Sequence, residues 1–502
     1  MSTHYHIRSI PYYPSSETLF SAIRHLPFAC WLDSGKPDST SGRYDILTAQ
    51  PTRRWVTQDN NTAITDYQYR VSIDASKNKT ADIHCTKNTQ TSDKSPLSLL
   101  KQACEVLVTR YKNITLPTPE LPFTGGIVSY ISYTVGRQQL EIPLSSSNDC
   151  DIPDMVAGLY TWAIIQDHHE AKSYVVALPE CELTLIDYVE QCLSNQSDIS
   201  TKKTFSIGEL SSNISQDEYH SKMAIIDDYI RAGDCYQVNF AQRFSAPYQG
   251  DPFDAYLSLR RAMSSPFSAF ITVDDTTGIA PHTSPQAILS FSPERFLRVR
   301  NQHVLTQPIK GTIARDSDPS NDQANALHLQ KSQKNRAENV MIVDLLRNDL
   351  GKSCVPGSIH VPALFALESF PNVHHLVSNV EGTLQQHVSA VDLFDGCFPG
   401  GSITGAPKKR AMEIIEELED SQRSIYCGSI AYFTSWGDMD SSITIRTIAC
   451  DGHDVYCWGG GGIVADSNAE EEYQESLTKI GKILRALNTF HQNPITDSTN
   501  TN

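Results

Sequence analysis

The sequence lacks a hydrophobic run long enough to cross a membrane. Its longest apolar stretch, residues 155–165, is far shorter than the roughly 20 residues that a spanning helix needs, and is typical of a buried strand. The amino-terminal segment has no apolar core of the kind found in secretory signal peptides. We therefore expect a cytoplasmic protein that does not associate with membranes.

Cysteine patterns typical of metal sites or disulfide frameworks are also missing. The twelve cysteines are scattered, with no Cys-x-x-Cys pair and no Cys/His cluster at zinc spacing, and we expect reduced thiols. Positive charge is scarce as well, since 41 Lys and Arg face 58 Asp and Glu for a net charge of −17. Such acidity argues against nucleic acid as a partner. A small anionic substrate would then depend on a few local cations, a metal ion or helix N-termini.

Strand-like and helix-like segments are mixed along the 502 residues without strict β-α-β alternation, which favours the α+β class. A polar stretch at 193–212 is the best candidate boundary. It divides the chain into an amino-terminal region, 1–200, a second region, 201–490, and a polar tail, 491–502. Two further polar stretches, 75–96 and 276–286, are expected to be loops between strands.

Capping residues in the sequence mark the ends of several predicted helices. Ser215 and Glu218 form a capping box for a helix that ends at Gly233, and a second helix covers about 334–348. A third is expected after Pro407, with Ser402 or Thr404 as its cap. A strand at 454–458 should lead through four glycines, 459–462, into a last helix at 469–487.

The last helix carries the first chemical signal. Glu472, Glu475 and Lys479 project from one face, directly after the glycine run, whose amides can approach an anion closely. Paired carboxylates suit a hard cation such as magnesium, and the lysine suits an acidic ligand. A solvated helix face with ordinary ion pairs is the alternative.

Two more acidic side chains and one lysine are candidates. Glu338 opens an apolar helix face, where a metal or a salt bridge to Arg336 would each account for it. Glu294 follows a strand and could act as a general acid, or simply pair with Arg295. Lys310 lies between a stiff Pro-Ile and a flexible Gly. It is either a surface cation or, if neutral, a covalent nucleophile.

Arg446 and His375 complete the set of candidates. Arg446 lies within an apolar strand predicted at 442–448, where its charge needs a partner such as a ligand carboxylate, and His375 is either a core histidine or a ligand contact. These residues together predict a metal-assisted site for a small polyanion, built late in the chain. They do not name the reaction.

Taken in order, these segments resemble the chorismate-utilising enzymes. The resemblance is strong over 215–487 and weaker in the amino-terminal region, where it includes the segments 10–12 and 31–35. It implies one compact body of two packed antiparallel β-sheets flanked by helices. It further implies that Glu338 and Glu475 bind Mg²⁺, with Glu472 nearby.

The resemblance also assigns the substrate contacts. The metal, Lys479 and the amides near Gly460 and Gly462 would hold the ring carboxylate of chorismate. Arg446 and Tyr426 would hold the enolpyruvyl carboxylate. Ser402 and His375 would line the pocket, and Ser402 stands where relatives usually have Thr.

Two positions distinguish the members of this family. Gln237 stands where isochorismate and salicylate synthases carry a water-activating lysine, which points to ammonia as the nucleophile. The sequence around Lys310, Pro-Ile-Lys-Gly-Thr, resembles aminodeoxychorismate synthases, which serve p-aminobenzoate and folate synthesis, whereas anthranilate synthases have Ala there. The rival interpretations are component I of anthranilate synthase, a pyridoxal-phosphate aminotransferase, and an inactive chain that only binds a partner.

The implied reaction begins with attack of the Lys310 amine on C2 of chorismate, while Glu294 protonates the departing C4 hydroxyl. Ammonia then adds at C4 and expels the lysine. No glutaminase motif is found, so ammonia is expected from a separate glutamine amidotransferase subunit in a heterodimer. Relatives hold tryptophan in the amino-terminal half, and Ser34 with the neighbouring segment 43–45 is the candidate pocket here.

Overall fold

A computed structural model describes residues 4–39, 41–73, 81–115, 121–194, 204–274, 284–369 and 373–491. Within these ranges the chain forms eleven α-helices: α1 (Glu17–Ile23), α2 (Pro96–Tyr111), α3 (Tyr133–Gln139), α4 (Leu183–Ser194), α5 (Gln216–Ala232), α6 (Pro252–Met263), α7 (Pro319–Lys331), α8 (Gln333–Gly351), α9 (Ala390–Cys397), α10 (Lys408–Leu418) and α11 (Ala469–Asn488). A short 3-10 helix covers Gly401–Ile403.

The strands of the same ranges are β1 (His6–Ile10), β2 (Cys30–Asp33), β3 (Tyr44–Thr48), β4 (Arg53–Gln58), β5 (Asn61–Ile73), β6 (Ala81–Ser92), β7 (Gly126–Ile131), β8 (Met155–Tyr160), β9 (Trp162–Asp167), β10 (Lys172–Ala177), β11 (Ser206–Ile207), β12 (Ser211–Ser212), β13 (Gln237–Gln249), β14 (Phe267–Thr272), β15 (Ala287–Ser292), β16 (Arg295–Arg300), β17 (His303–Thr306), β18 (Ile309–Ala314), β19 (His360–Ser369), β20 (Val373–Thr383), β21 (Gly405–Ala406), β22 (Ser429–Thr434), β23 (Met439–Ile443), β24 (Thr447–Cys450) and β25 (Asp454–Ile463).

These strands build two large sheets. The first runs β1-β10-β9-β3-β2-β14-β15-β24-β25-β13-β11, with β12 and β21 attached to β13. The second runs β18-β20-β17-β16-β23-β22-β7-β8-β4-β5-β6, with β19 attached to β20. Both sheets take strands from both regions of the chain, and their pairings are antiparallel, as in β13 with β25 and β16 with β23. The predicted α+β fold of two antiparallel sheets in one body is therefore confirmed.

The chain crosses from one sheet to the other within two apolar segments, each of which is predicted from its sequence as a single strand. The apolar stretch 155–165 forms β8 in the second sheet and β9 in the first, divided at Thr161. The segment around Arg446 likewise divides into β23 and β24. An apolar run reads as one strand because both halves are buried, so the change of sheet leaves no mark in the hydrophobic pattern.

The hydrophobic core has a central part between the sheets and two parts under outer helices. Phe123, Tyr130 and Phe394 are fully buried in the central cluster, whereas Trp31 and Trp162 belong to a second cluster that also contains Phe20 and residues of α11. Among the described residues no helix is both long and apolar enough to cross a membrane.

Helix α5 confirms the predicted capping box, because the Ser215 hydroxyl and the Glu218 carboxylate each bond the other's backbone amide. The cap predicted for α10 is wrong. Pro407 is its N-cap, Ser402 belongs to the 3-10 helix, and the Thr404 hydroxyl donates to the carbonyl of Gly400.

The structure differs from one of the two predicted loops and leaves most of the other outside its described ranges. Residues 81–92 form β6, so the expected loop at 75–96 is wrong over that part, and residues 74–80 lie outside the described ranges. Most of the expected loop at 276–286 lies outside them too, because 275–283 are not described. Of the polar tail, only His491 is described.

Candidate active site

Glu294 and Arg446 lie in two of the short links that carry the chain between the sheets. Glu294 separates β15 from β16, and Arg446 separates β23 from β24. The links are joined to neighbouring backbone, since Ile443 N donates to Glu294 O at 3.1 Å and Phe291 N donates to Arg446 O at 3.0 Å. Arg446 adopts a left-handed backbone conformation, with φ at 52°, that non-glycine residues rarely take outside constrained sites.

Lys310 and Glu294 are brought together by Ser402. The Lys310 amine donates to the Ser402 carbonyl at 3.1 Å, and the Ser402 hydroxyl donates to Glu294 Oε1 at 3.1 Å. Burial lowers the pKa of Lys310, although the carboxylates of Glu294 and Glu338 oppose this shift. Burial raises the pKa of Glu294, against the effect of Lys310 and the Ser402 hydroxyl. Both shifts favour a neutral amine beside a protonated acid.

His375 and Arg446 form the neighbouring wall. The His375 ring is 3% exposed, and its Nδ1 lies 2.7 Å from the Thr312 hydroxyl. Burial and the nearby Arg446 charge lower the pKa of His375 to about 4, so the imidazole is neutral at physiological pH. Burial also lowers the pKa of Arg446, and Glu294 acts in the opposite direction. A ligand carboxylate would restore full charge compensation to this guanidinium.

Glu338 of α8 and Glu472 and Glu475 of α11 influence one another's charge near the place where Lys334 of α8 contacts Glu472. Glu472 is 2% exposed and accepts from the Ser467 hydroxyl at 2.7 Å. The pKa of Glu338 is raised by burial, and Glu475 and Glu472 add to that effect while Lys310 opposes it. Burial would raise the pKa of Glu475, but Lys479, at 2.8 Å, brings it below the usual value.

The carboxylate cluster has the donor chemistry that magnesium requires. Glu338, Glu472 and Glu475 are oxygen donors whose charges disfavour one another, which is the condition that a hard divalent cation relieves. Among the described residues, however, no three acidic, His or Cys side chains lie close enough to enclose a metal. Lysines compensate two of the carboxylates instead: Lys334 lies 3.4 Å from Glu472, and Lys479 pairs with Glu475.

The four glycines belong to strand β25 and not to a loop, which corrects the predicted strand end. Gly460 pairs with Ala241, and Gly462 pairs with Asn239. A Cβ at Gly460 would lie 2.5 Å from the carbonyl of Phe240, so glycine is needed for the close approach of β13. The Lys479 amine donates to the Gly460 carbonyl at 3.1 Å, which places this strand end beside the carboxylate cluster.

Gln237, the first residue of β13, lies against Gly462 of β25. The side chain is 1% exposed, and its Nε2 is buried without a hydrogen-bond partner among the described groups. A Cβ added to Gly462 would come within 2.6 Å of that nitrogen. A buried amide donor that lacks a partner is costly, and its position beside the glycines fits a ligand contact.

One ring stack and one backbone hydrogen bond hold Tyr426 in place. Its ring is 4% exposed and stacks on Trp458, with centroids 6.1 Å apart and an interplanar angle of 5°. Its backbone N–H donates to the carbonyl of Arg423 at 2.8 Å.

Ser34 lies away from these groups, on the wall of a cavity of about 460 Å³ between the two sheets. The amide and the hydroxyl of Ser34 both donate to Asp45, at 2.7 and 2.6 Å. Phe267 contributes an aromatic wall to the same cavity. Its lining also includes Pro293 and Ile309, the residues that directly precede the catalytic candidates Glu294 and Lys310.

Two residues of the site were missed by the sequence analysis. Lys334 pairs with Glu472 and lies one helical turn before Glu338, a spacing that could have drawn attention to it. Arg423 is 2% exposed and bonds the carbonyls of Ile403 and Asn239, beside Ser402. Its sequence context, a polar turn after α10, carries no such signal.

Residues 55–485 match the family of chorismate binding enzymes. Component 1 of aminodeoxychorismate synthase from Salmonella typhimurium is 41% identical over 482 residues, covering 95% of this chain and 97% of that protein. The Escherichia coli protein of the same name is 40% identical over 475 residues, with 94% and 96% covered. The crystal structure of anthranilate synthase component I from Streptococcus pneumoniae superposes with a TM-score of 0.72 at 29% identity, covering 87% of this chain and 91% of that one. The chain belongs to the chorismate binding enzyme family.

Proposed function

We propose that this protein aminates chorismate at C4 and yields 4-amino-4-deoxychorismate, the precursor used for p-aminobenzoate and folate. The single observation that carries the proposal is Lys310, with a pKa lowered by burial, beside Glu294, with a pKa raised by burial. The near full-length identity of about 40% to two aminodeoxychorismate synthase components supports the same reaction. All twelve cysteines are free thiols, which suits a cytoplasmic enzyme.

The first step forms a bond between Lys310 Nζ and C2 of the ring. The two ring double bonds shift toward C4, the C4–O bond breaks, and Glu294 gives its proton to the departing oxygen, so that water leaves. The nitrogen bound to C2 is then a secondary ammonium. Ammonia adds at C4, the two double bonds shift back, and the neutral Lys310 amine departs from C2 with the enolpyruvyl group untouched. The new ammonium at C4 passes its excess proton to the Glu294 carboxylate.

The remaining side chains bind and orient the substrate. We propose that Lys479 and the backbone around Gly460 and Gly462 contact the ring carboxylate, whereas Arg446 and Tyr426 contact the enolpyruvyl carboxylate. Ser402 and His375 line the pocket between them. Magnesium held by Glu338 and Glu475, with Glu472 close by, would neutralise the ring carboxylate when bound.

We also propose that ammonia is delivered by a glutamine amidotransferase subunit in a heterodimer. The word component in the names of both relatives supports a second subunit for those proteins. Gln237, whose amide nitrogen is buried beside Gly462, is the side chain at the position that would otherwise hold a water-activating lysine.

The decisive experiment compares the wild-type protein with Lys310→Arg in chorismate, MgCl₂ and ammonium at mildly alkaline pH, with products resolved by mass. Arginine keeps a cation but presents no neutral amine at any accessible pH. We expect aminated chorismate that retains its enolpyruvyl group from the wild type, and almost none from the variant. Lys352→Arg, on the exposed end of α8, is the matched control and should behave as the wild type.

Intact-mass analysis provides a second readout. With ammonium omitted, a covalent adduct should accumulate on the wild type, map to the peptide that contains Lys310, and be missing in the variant. Full amination by Lys310→Arg would rule out the covalent role. Anthranilate with free pyruvate from the wild type would favour the rival anthranilate synthase reaction, and an isomer of unchanged mass would make water the nucleophile.

The cavity at Ser34 is proposed to bind tryptophan. Its volume, about 460 Å³, accommodates an indole, and it combines the polar Ser34 and Asp33 with the aromatic face of Phe267. Because the same cavity reaches Pro293 and Ile309, a ligand there would contact the backbone that leads into both catalytic candidates.

A further inference from the structure

A buried ion pair between Arg423 and Glu419 lies behind the candidate active site. Arg423 is 2% exposed and Glu419 is 8% exposed. The guanidinium donates from Nε to Glu419 Oε2 at 2.9 Å and from Nη2 to Oε1 at 2.7 Å. This two-point contact fixes the plane of the guanidinium as well as its position.

The other donors of Arg423 reach two backbone segments of the site. Nη1 donates to the Ile403 carbonyl at 3.1 Å, and Nη2 donates to the Asn239 carbonyl at 2.7 Å. Ile403 is the last residue of the 3-10 helix, and Asn239 lies in β13, two residues after Gln237. Glu419 adds a third hydrogen bond to the backbone, because its Oε1 accepts from the amide of Ala241 at 2.9 Å.

The residue next to Ile403 is Ser402, which contacts both catalytic candidates. Its carbonyl accepts from Lys310, and its hydroxyl donates to Glu294. Loss of the Arg423 guanidinium would leave the Ile403 carbonyl without this buried donor and would allow the 3-10 helix to shift. Displacement of a reacting group by about 1 Å can cost on the order of a hundredfold in rate.

We propose that Arg423, held by Glu419, is a positioning residue for the amination reaction that acts through Ser402 on Lys310 and Glu294. The inference rests on the roles proposed above for those two side chains. Arg423 touches neither of them, and its effect is on the geometry of the group that joins them.

The proposal predicts an effect on turnover rather than on chorismate binding. Tyr426, a proposed substrate contact, is held by the backbone carbonyl of Arg423 and by its stack on Trp458. The guanidinium also lies over the Tyr426 ring, 5.5 Å from its centroid, and lysine keeps a positive charge in that place. The pairing of Asn239 and Ala241 with Gly462 and Gly460 is made by backbone groups. Replacement of Arg423 by lysine therefore disturbs Ser402 more than the proposed carboxylate contacts.

The test is the variant Arg423→Lys, which keeps the positive charge but cannot make the two-point contact with Glu419. Its amination kinetics and its unfolding in urea are measured. We expect kcat to fall at least about tenfold, while KM for chorismate stays within about threefold. Arg243→Lys is the matched control. Arg243 is 6% exposed on the same strand as Asn239 and pairs with Asp149, away from the 3-10 helix, so its loss should lower stability and leave kcat near the wild-type value.

A double-mutant cycle with Ser402→Ala separates positioning from general loss of structure. Ser402→Ala removes the hydroxyl that contacts Glu294 but keeps the carbonyl that accepts from Lys310, so if Arg423 acts through Ser402 the two losses should combine to less than their product. Independent, multiplying losses would overturn the proposal, and so would an equal loss of kcat in Arg243→Lys.

If Arg423→Lys does not fold, Glu419→Gln gives the same test, because it keeps the side-chain shape and removes only the charge. It should show the same fall in kcat at unchanged KM, and a wild-type kcat in this variant would also overturn the proposal. A wild-type protein that makes no aminated product would instead refute the proposed function.

Discussion

Replacement of Glu294 by glutamine tests the acid–amine pair most directly. The carboxyl group is 6% exposed, and burial raises its pKa, which keeps its proton available at higher pH. Glutamine has the same shape and can still accept from the Ser402 hydroxyl, but it has no acidic proton for the leaving oxygen. Because a positioned general acid contributes typically about 10²–10⁴-fold, kcat should fall by about that factor.

The same substitution changes the pH profile in a direction that the charges determine. Burial lowers the pKa of Lys310, and the nearby carboxylates raise it. Glu294 has the largest effect among these carboxylates when it is ionised. The reacting form of Glu294 keeps its proton, however, so this residue contributes no negative charge along the acid limb. The acid limb of the kcat profile should therefore not move to lower pH in Glu294→Gln, and the alkaline limb that reports deprotonation of Glu294 should disappear.

The assay is the mass-resolved product measurement at saturating chorismate and ammonium, repeated across pH. Glu416→Gln is a suitable control, because this carboxyl group is 8% exposed and its pKa is also raised by burial, but it lies near Arg137 and outside the site. A loss smaller than about tenfold in Glu294→Gln would refute the general-acid role, since that role requires a larger factor. An alkaline limb that persists in Glu294→Gln would refute its assignment to Glu294.

Two further predictions concern ligands. Glu475→Gln should weaken Mg²⁺ binding at least about tenfold in calorimetric titration, whereas Glu471→Gln, an exposed neighbour on the same helix, should not, and equal affinities would contradict the proposed ligand set. Phe267→Ala should weaken tryptophan binding by about tenfold, roughly 1.4 kcal/mol, because it removes the aromatic wall of the cavity, and unchanged affinity would place the indole elsewhere.

Much of the site could be predicted because its residues belong to long segments that keep a fixed order. Lys310, Glu294 and Ser402 were named from three separate segments, and the structure joins them through two hydrogen bonds. Their roles in catalysis remain predictions. The helices were predictable where capping residues mark their ends, as at Ser215 and Gly233.

The features that were missed have physical reasons. The change of sheet at Arg446 depends on one left-handed residue in an apolar run, and hydrophobic periodicity does not register a single backbone angle. Strand β6 is polar and mostly exposed along its described side chains, so it lacks the alternation that identifies half-buried strands. The Arg423–Glu419 pair connects segments that are distant in sequence, and only the fold brings them together.

Charge balance explains why such an acidic chain can bind a dianion. The cations at the site, Lys310, Lys334, Lys479 and Arg446, face four carboxyl groups, Glu294, Glu338, Glu472 and Glu475. Transfer of a proton from Lys310 to Glu294 leaves the sum of these charges unchanged. The neutral amine and the protonated acid therefore form without a change in the net charge of the site. Chorismate then adds two negative charges, and a divalent cation at the carboxylate cluster would restore neutrality. The substrate and the metal should therefore strengthen each other's binding by the same factor, because the coupling between two sites is reciprocal.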